Sequence, residues 1–98
     1  MAGKPINKYM DIEEIKKNIV TNVYHIKSDK KVNLHKHSNH NELFYCIKGN
    51  GFGVLENKEI ELSPGKIFVV SANTMHALRT ESNLWVSSFL IPIIGDEL

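Results

Sequence analysis

Apolar and polar residues alternate with a period of two along most of the chain, which is typical of β-strands that bury one face. Eight short segments fit this pattern: residues 19–27, 31–37, 42–48, 52–56, 59–62, 66–70, 76–80 and 83–94. Ile12, Ile15 and Ile19 recur instead at helical spacing, and we predict a short helix there, capped by Asp11 and ending near Asn18. The pattern therefore predicts an all-β sandwich or barrel preceded by one helix.

The composition is that of an ordinary globular domain. The 98 residues are 42% apolar and 23% charged, which is enough for one core but not for separate catalytic and binding domains. We expect a single domain, with residues 1–18 as an N-terminal arm and short helix and residues 19–94 as the barrel. Because the net charge is +1 and Arg79 is the only arginine, we expect neither nucleic acid nor a membrane as a partner.

Cysteine usage and the first residues predict a cytoplasmic protein. Cys46 is the single cysteine, so no internal disulfide can form, which fits a reducing compartment. Residues 1–17 contain no apolar stretch resembling a signal peptide, and the apolar runs elsewhere are too short to span a bilayer.

A histidine-rich segment is the main candidate for chemistry. His35 and His37 are two residues apart on a predicted strand, so their side chains point to the same side. Residues 38–41 are small or polar and favour a four-residue hairpin loop, which would place His37 opposite Glu42 on the next strand. The spacing thus predicts two imidazoles and a carboxylate at one end of a sheet face.

Imidazole and carboxylate ligands suit a divalent transition metal: Mn, Fe, Ni, Co, Cu or Zn. His76 opens a later predicted strand and is the best candidate for a fourth ligand. We expect neither His25, on the first strand, nor His40, in the predicted loop, to bind. Without further information, a solvated hairpin end that binds no metal remains an equal alternative.

The segment beginning at His35 resembles the first motif of the cupin superfamily, which is HxH, three or four residues, Glu, six residues and Gly. Here His35 and His37 are followed by four residues, Glu42, six residues and Gly49. The motif usually opens with a glycine six residues before the first histidine, and Asp29 stands at that position.

A second segment resembles the second cupin motif in part. Gly65 and His76 have the separation found in that motif. Three other positions differ, because Ser71 stands where the motif has proline, Asn73 where it has glycine and Thr80 where it has asparagine. Asn73 can still adopt a left-handed turn conformation, so we expect the loop to keep its shape.

The resemblance implies a jelly-roll β-barrel, also called a double-stranded β-helix. It further implies one divalent transition metal per subunit, held by His35, His37, Glu42 and His76. With four protein ligands, a six-coordinate metal keeps two positions for water, substrate or dioxygen. The family commonly forms homodimers.

Period-two alternation from the ligands predicts an apolar pocket for a small-molecule substrate or ligand. The predicted wall residues are Phe44, Cys46, Leu78, Trp85 and Phe89. The pattern leaves open which face of the last strand carries Trp85 and Phe89, and ordinary core packing remains an alternative for each residue. We expect Cys46 to be a small buried apolar group rather than a nucleophile.

The faces opposite the ligands are also apolar, as Leu34, Leu43, Tyr45 and Ile47 show. A monomeric barrel would normally place polar residues there. We therefore expect this surface to be covered by the N-terminal helix, by a second subunit in a homodimer, or by both.

Three classes of function are compatible with these features. The first is a metal-dependent enzyme acting on a small organic molecule, which in the cupin superfamily usually means dioxygenase, isomerase or decarboxylase chemistry. The second is a non-catalytic ligand-binding or sensor module. The third, a structural or storage role, does not need an intact ligand set and is the least favoured. The sequence by itself does not identify the metal or the substrate.

Overall fold

The computed structural model describes residues 12–29 and 32–93. The short helix α1 spans Ile12–Asn18, where the spacing of isoleucines predicts it; its predicted cap, Asp11, lies outside the described residues. Eight strands follow: β1 Val20–Lys27, β2 Val32–His35, β3 His40–Gly49, β4 Gly51–Leu55, β5 Lys58–Leu62, β6 Ile67–Val70, β7 His76–Arg79 and β8 Asn83–Pro92. The predicted strand-rich architecture is confirmed.

The strands form two four-stranded antiparallel sheets. The first sheet has the order β1-β8-β3-β6, and the second has the order β2-β7-β4-β5. The chain crosses repeatedly from one sheet to the other, so strands distant in sequence become neighbours. This arrangement is the predicted jelly roll.

The hairpin predicted between β2 and β3 does not exist. β2 pairs with β7, and β3 pairs with β6 and β8, so residues 36–39 connect the two sheets instead of turning within one. A hairpin rule weighs only the residues of the loop. In the folded protein β3 instead pairs with β6 on one side and β8 on the other. As a central strand of the first sheet, it buries its inward face in the core.

The core lies between the sheets and is built from their inward faces. Its buried apolar residues are Ile26, Phe44, Cys46, Leu62, Phe68, Val70, Leu78, Leu84 and Val86. Phe44 and Phe68 stack with ring centroids 5.8 Å apart. Burying a side chain of this size contributes roughly 1.5–3 kcal/mol, so this layer provides much of the stability.

Two positions show how closely the backbone is packed. Gly49 ends β3 with a positive φ of 80°, and a Cβ there would lie 2.2 Å from the carbonyl oxygen of Asn83. Gly53 on β4 faces the ring of Phe68, which would be 2.4 Å from a Cβ. Both sites therefore require glycine for steric reasons.

The outer surfaces of the two sheets differ in chemistry. The second sheet carries an ion pair outside, where Arg79 donates two hydrogen bonds, of 2.6 and 2.7 Å, to Glu59 and lies over the ring of Phe52. The first sheet is apolar outside. Its exposed residues there are Val23, Tyr45, Ile47, Ile67, Val69 and Ile91, with exposed fractions of 37–67%.

The described residues leave this apolar surface exposed, and Ile12 of α1 is itself 70% exposed. A second subunit that covers this surface therefore stays a prediction. Across residues 12–29 and 32–93, no helix is long and apolar enough to cross a membrane.

Candidate metal centre

Three of the four predicted ligands converge inside one end of the barrel. Glu42 lies near the start of β3, His76 is the first residue of β7, and His37 lies in the segment that connects the sheets. The Nε2 atoms of His37 and His76 are 3.3 and 3.0 Å from Oε1 of Glu42. One ligand atom from each residue lies within 4.8 Å of the others, a separation that one metal ion can bridge.

The fourth predicted ligand, His35, is placed only by its backbone. It is the last residue of β2, and its Cα is paired directly with that of His76 on β7. Its side chain lies outside the described part of the structure. Its role as a ligand therefore stays a prediction, supported by its register position beside His76.

His76 is fixed by hydrogen bonds at both ring nitrogens. The ring is 1% exposed, and Nδ1 lies 2.8 Å from the carbonyl oxygen of Thr74. A carbonyl oxygen can only accept, so Nδ1 carries the proton and Nε2 is the nitrogen directed at Glu42. This geometry leaves Nε2 as the nitrogen that would bind a metal.

The pKa of His76 is raised in the metal-free protein. Burial acts to lower it, but the hydrogen bonds to Glu42 and to the Thr74 carbonyl, together with the carboxylate charge, outweigh burial. This shift favours the imidazolium form of His76, in which both ring nitrogens donate, when no metal is bound. A divalent cation at this place would take over the position of the Nε2 proton.

Glu42 is a buried carboxylate with a different partner at each oxygen. Oε1 faces the two histidines, and Oε2 accepts a hydrogen bond of 2.5 Å from the hydroxyl of Ser88. Burial acts to raise its pKa, but the hydrogen bonds from His76 and Ser88 and the nearby histidine charges lower it overall. The carboxylate is therefore held in its ionised, metal-binding form.

The loop before β7 holds His37 in place. The backbone N–H of Asn73 donates to the carbonyl oxygen of His37 at 2.7 Å, and the N–H of Ala72 donates to the side chain of Asn41 at 2.9 Å. Asn73 has a φ of 66°, the left-handed conformation expected where the cupin motif has glycine. The altered motif residues thus keep the loop, and the loop links His37 to the approach of His76.

The donor set fits a transition metal. Two imidazole nitrogens and a carboxylate oxygen are the ligands such ions prefer, and no thiolate takes part. Within the described part of the chain this is the only group of its kind, so His25 and His40 are not members of it. The side chain of His37 is 34% exposed, so the centre opens to solvent on that side.

Three of the predicted pocket residues face the interior. Phe44, Cys46 and Leu78 are 2%, 0% and 1% exposed, and the ring of Phe44 lies 5.9 Å from that of His76. Burial raises the pKa of the Cys46 thiol, which keeps it neutral. Cys46 therefore behaves as the apolar group predicted from the sequence.

Trp85 and Phe89 lie on the opposite side, so the expectation that they line the interior is wrong. Val86 is paired with Cys46 across β8 and β3, and paired residues share a face, which turns Trp85 outward. Trp85 stacks on His25 with ring centroids 4.1 Å apart. Alternation could not decide between the faces because both sides of β8 are mostly apolar.

Ser88 is the site residue that the sequence did not reveal. It is 1% exposed and lies on the inward face of β8, in line with Leu84 and Val86. A buried polar residue in an otherwise apolar stripe needs a hydrogen-bond partner. The interruption of this stripe was the signal in the sequence for a buried polar contact. It can be recognised only once the inward face of β8 is known.

One curated relative is an enzyme of known activity. Over 49 residues the chain is 41% identical to quercetin 2,3-dioxygenase of Bacillus subtilis. The match covers 50% of this chain and 14% of that protein. The chain therefore spans only a small part of the length of that relative.

Solved structures support the fold over more of the chain. A cupin protein from Bacteroides fragilis matches with a TM-score of 0.70 and 17% identity, covering 76% of this chain and 65% of that one. A predicted oxalate decarboxylase from Thermotoga maritima matches with a TM-score of 0.73 and 17% identity, covering 86% and 76%. At this level of identity the likeness concerns the fold alone.

The family model for the cupin domain matches residues 22–91, which is most of the chain and includes the three converging ligands. The same span contains the strands of both sheets except the first two residues of β1 and the last residue of β8. The chain therefore belongs to the cupin superfamily.

Proposed function

We propose that this protein is a metal-dependent enzyme that acts on a small organic substrate in the barrel. The observation that carries the proposal is the convergence of His37, Glu42 and His76 around one point, with ligand atoms within 4.8 Å of one another. In the proposed centre His35 is the fourth ligand. A bound divalent metal would supply Lewis acidity or redox chemistry at positions that the protein leaves free.

The residues around this point favour chemistry at the metal. Among the described residues, Glu42 is the only buried carboxylate. If Glu42 binds the metal, these residues offer no second buried carboxylate as a general base. Phe44 and Leu78 face the interior, and as walls of a substrate pocket they would suit a weakly polar or aromatic substrate better than a charged one. His37 lies at the open side and borders the route by which a substrate would enter.

Dioxygenase chemistry is the preferred reaction type, with isomerase chemistry as the second. Its support is the 41% identity to quercetin 2,3-dioxygenase over half of this chain. An apolar interior next to a histidine- and carboxylate-bound metal is also compatible with an aromatic substrate and dioxygen.

Metal content and oxygen uptake test the proposal together. We expect protein from metal-supplemented growth to carry close to one transition-metal ion per chain by elemental analysis, and His76→Ala to lose most of it. His25→Ala, which removes an imidazole from the outer surface, is the matched control and should keep the metal. Aromatic and diketone substrates are then screened for oxygen uptake by the wild type. A wild-type protein that retains no metal without chelators would contradict the proposal.

A non-catalytic ligand-binding or sensor module is the alternative. It is favoured by the absence, among the described residues, of any buried acid or base beyond the ligand set and Cys46. Tight binding of a small molecule without turnover, unaffected by metal removal, would support it over the enzyme.

We further propose that the protein is a homodimer and is cytoplasmic. The apolar outer surface of the first sheet supports a second copy as its cover, since Ile67 and Val69 are 51% and 57% exposed. The unpaired, buried Cys46 is compatible with a reducing compartment.

A further inference from the structure

Ser88 of β8 forms a hydrogen bond with Glu42 of the neighbouring strand β3, at the proposed metal centre. It lies on β8 directly opposite Phe44 of β3, and its side chain reaches Glu42 one inward position along that strand. The hydroxyl donates to Oε2 of Glu42 over 2.5 Å, and both residues are buried, with exposed fractions of 1% and 5%. A hydrogen bond to a buried carboxylate is a strong, orienting contact.

This contact divides the two oxygens of Glu42 between two tasks. Oε1 is the atom near Nε2 of both His37 and His76, at 3.3 and 3.0 Å. Oε2 is the atom that accepts the hydrogen bond from Ser88. A rotation of the carboxylate that presented both oxygens to the histidines would break a buried hydrogen bond and leave the hydroxyl without its partner.

We propose that Ser88 is a positioning residue that reserves Oε1 as the single ligating oxygen of Glu42. The proposal rests on the proposed metal centre and adds a determinant that neither cupin motif contains. A carboxylate that ligates through one oxygen leaves more of the coordination sphere to substrate and water than one that ligates through both. Ser88 would thereby act on metal affinity and on the space available to a substrate without touching either.

The test compares Ser88→Ala with a matched change one residue away. Ser87→Ala removes the same hydroxyl group from the outward face of the same strand, where Ser87 is half-buried. Co²⁺ affinity is measured by competition titration, and the carboxylate stretching bands of the Co²⁺ proteins are recorded by difference infrared spectroscopy. We expect S88A to bind Co²⁺ about tenfold more weakly, since loss of a residue that orients a ligand typically costs 10–100-fold.

The infrared bands separate orientation from general damage. In the wild type and in S87A we expect the antisymmetric and symmetric carboxylate stretching bands to be widely separated, as for a carboxylate bound through one oxygen. In S88A we expect a narrower separation of these bands. Ser88→Thr, which keeps the hydroxyl, should restore the wild-type bands. Ser88→Cys keeps the size of the side chain but has a weaker hydrogen-bond donor. If S88A does not fold, this variant tests the role of the Ser88 hydroxyl in its place. We expect S88C to bind Co²⁺ more weakly than the wild type.

The outcomes distinguish this inference from the function on which it rests. If the wild type fails to bind Co²⁺, the proposed metal centre is wrong and the role of Ser88 falls with it. If the wild type binds Co²⁺ and the alanine and cysteine variants match it in affinity and infrared bands, only the role assigned to Ser88 is overturned.

Discussion

At the scale of single residues, the candidate centre depends on the contact between Nε2 of His76 and Oε1 of Glu42, which are 3.0 Å apart. When no metal is present, the pKa of Glu42 is lowered and that of His76 is raised, which favours the ionised carboxylate and the protonated imidazole. Each shift reflects a contact that exists only in the folded protein. Folding and proton binding are therefore linked at these two side chains, and binding of the proposed metal would be linked to both.

The stability of the metal-free protein should fall as the pH rises above neutrality. The raised pKa of His76 means that its contribution is complete below the ordinary histidine value of 6.5 and is lost as the pH rises through the folded value. The lowered pKa of Glu42 means that its contribution is present above the ordinary value of 4.5 and is lost as the pH falls through the folded value. These two groups therefore place the optimum between those two ordinary values.

Thermal unfolding with and without Co²⁺ measures this linkage. As the pH rises from the ordinary histidine value of 6.5 through the raised pKa of His76, we expect the Tm of the metal-free wild type to decline relative to that of His76→Gln, which has no titrating group at this position. The Tm gain produced by Co²⁺ should grow over the same range, because the metal competes with the Nε2 proton. A metal-free wild type whose Tm rises with pH relative to H76Q would contradict the assigned protonation.

At the scale of elements, the site depends on two sheets held at a fixed separation. Glu42 belongs to the first sheet and His76 to the second, so the distance between their side chains is set by the packing of the sheets. Gly53 and Phe68 lie at this interface, where the ring of one sheet occupies the space beside the backbone of the other. Because Gly53 has no side chain, the Phe68 ring can pack against its backbone, and this packing helps to set the separation of the two sheets at the site.

Gly53→Ala should destabilise the fold through this contact. The added Cβ would lie 2.4 Å from the Phe68 ring, and overpacking of this kind lowers the free energy of unfolding by about 1–3 kcal/mol. Urea unfolding of G53A, Phe68→Leu and the double variant measures the coupling between the two positions. The loss caused by G53A should be smaller in the F68L background; an equal loss in both backgrounds would show that the ring is not the cause.

At the scale of the whole molecule, the two outer surfaces are unequal. The second sheet presents Arg79 and its carboxylate partner, Glu59, to solvent. The first sheet presents large apolar residues that the described residues leave exposed, Val23 and Val69 among them. Burying this surface against a second copy would remove apolar area from water, which is the usual driving force for a stable dimer.

Val69→Asp should therefore convert the proposed dimer into a monomer. The variant places a charge at an exposed position of β6, so the fold should survive while association is lost. Sedimentation velocity at micromolar concentration gives the mass of each species. Val54→Asp makes the same change on the outer surface of the second sheet and should leave the dimer intact. A wild type that sediments as a monomer, or two variants that behave alike, would contradict the assignment of this surface.

Much of the site could be predicted from local pattern. Strand alternation depends only on the geometry of an extended backbone, so it correctly places Glu42, Phe44 and Cys46 on one inward face of β3. The spacing of the histidines and the glycines indicated the cupin resemblance and, through it, the approach of His76 to Glu42. These features need no knowledge of which strands are neighbours.

The remaining features depended on the pairing of strands distant in sequence. An alternating strand has two faces, and where both are apolar, as on β8, only its register with β3 decides that Val86 turns inward and Trp85 outward. The same register brings Ser88 to Glu42 across 46 positions of sequence. Local pattern thus determined the kinds of element and the candidate ligands. The tertiary structure decided the strand partners, the inward-facing side chains and the contact between Ser88 and Glu42, because burial is a property of the assembled sheets.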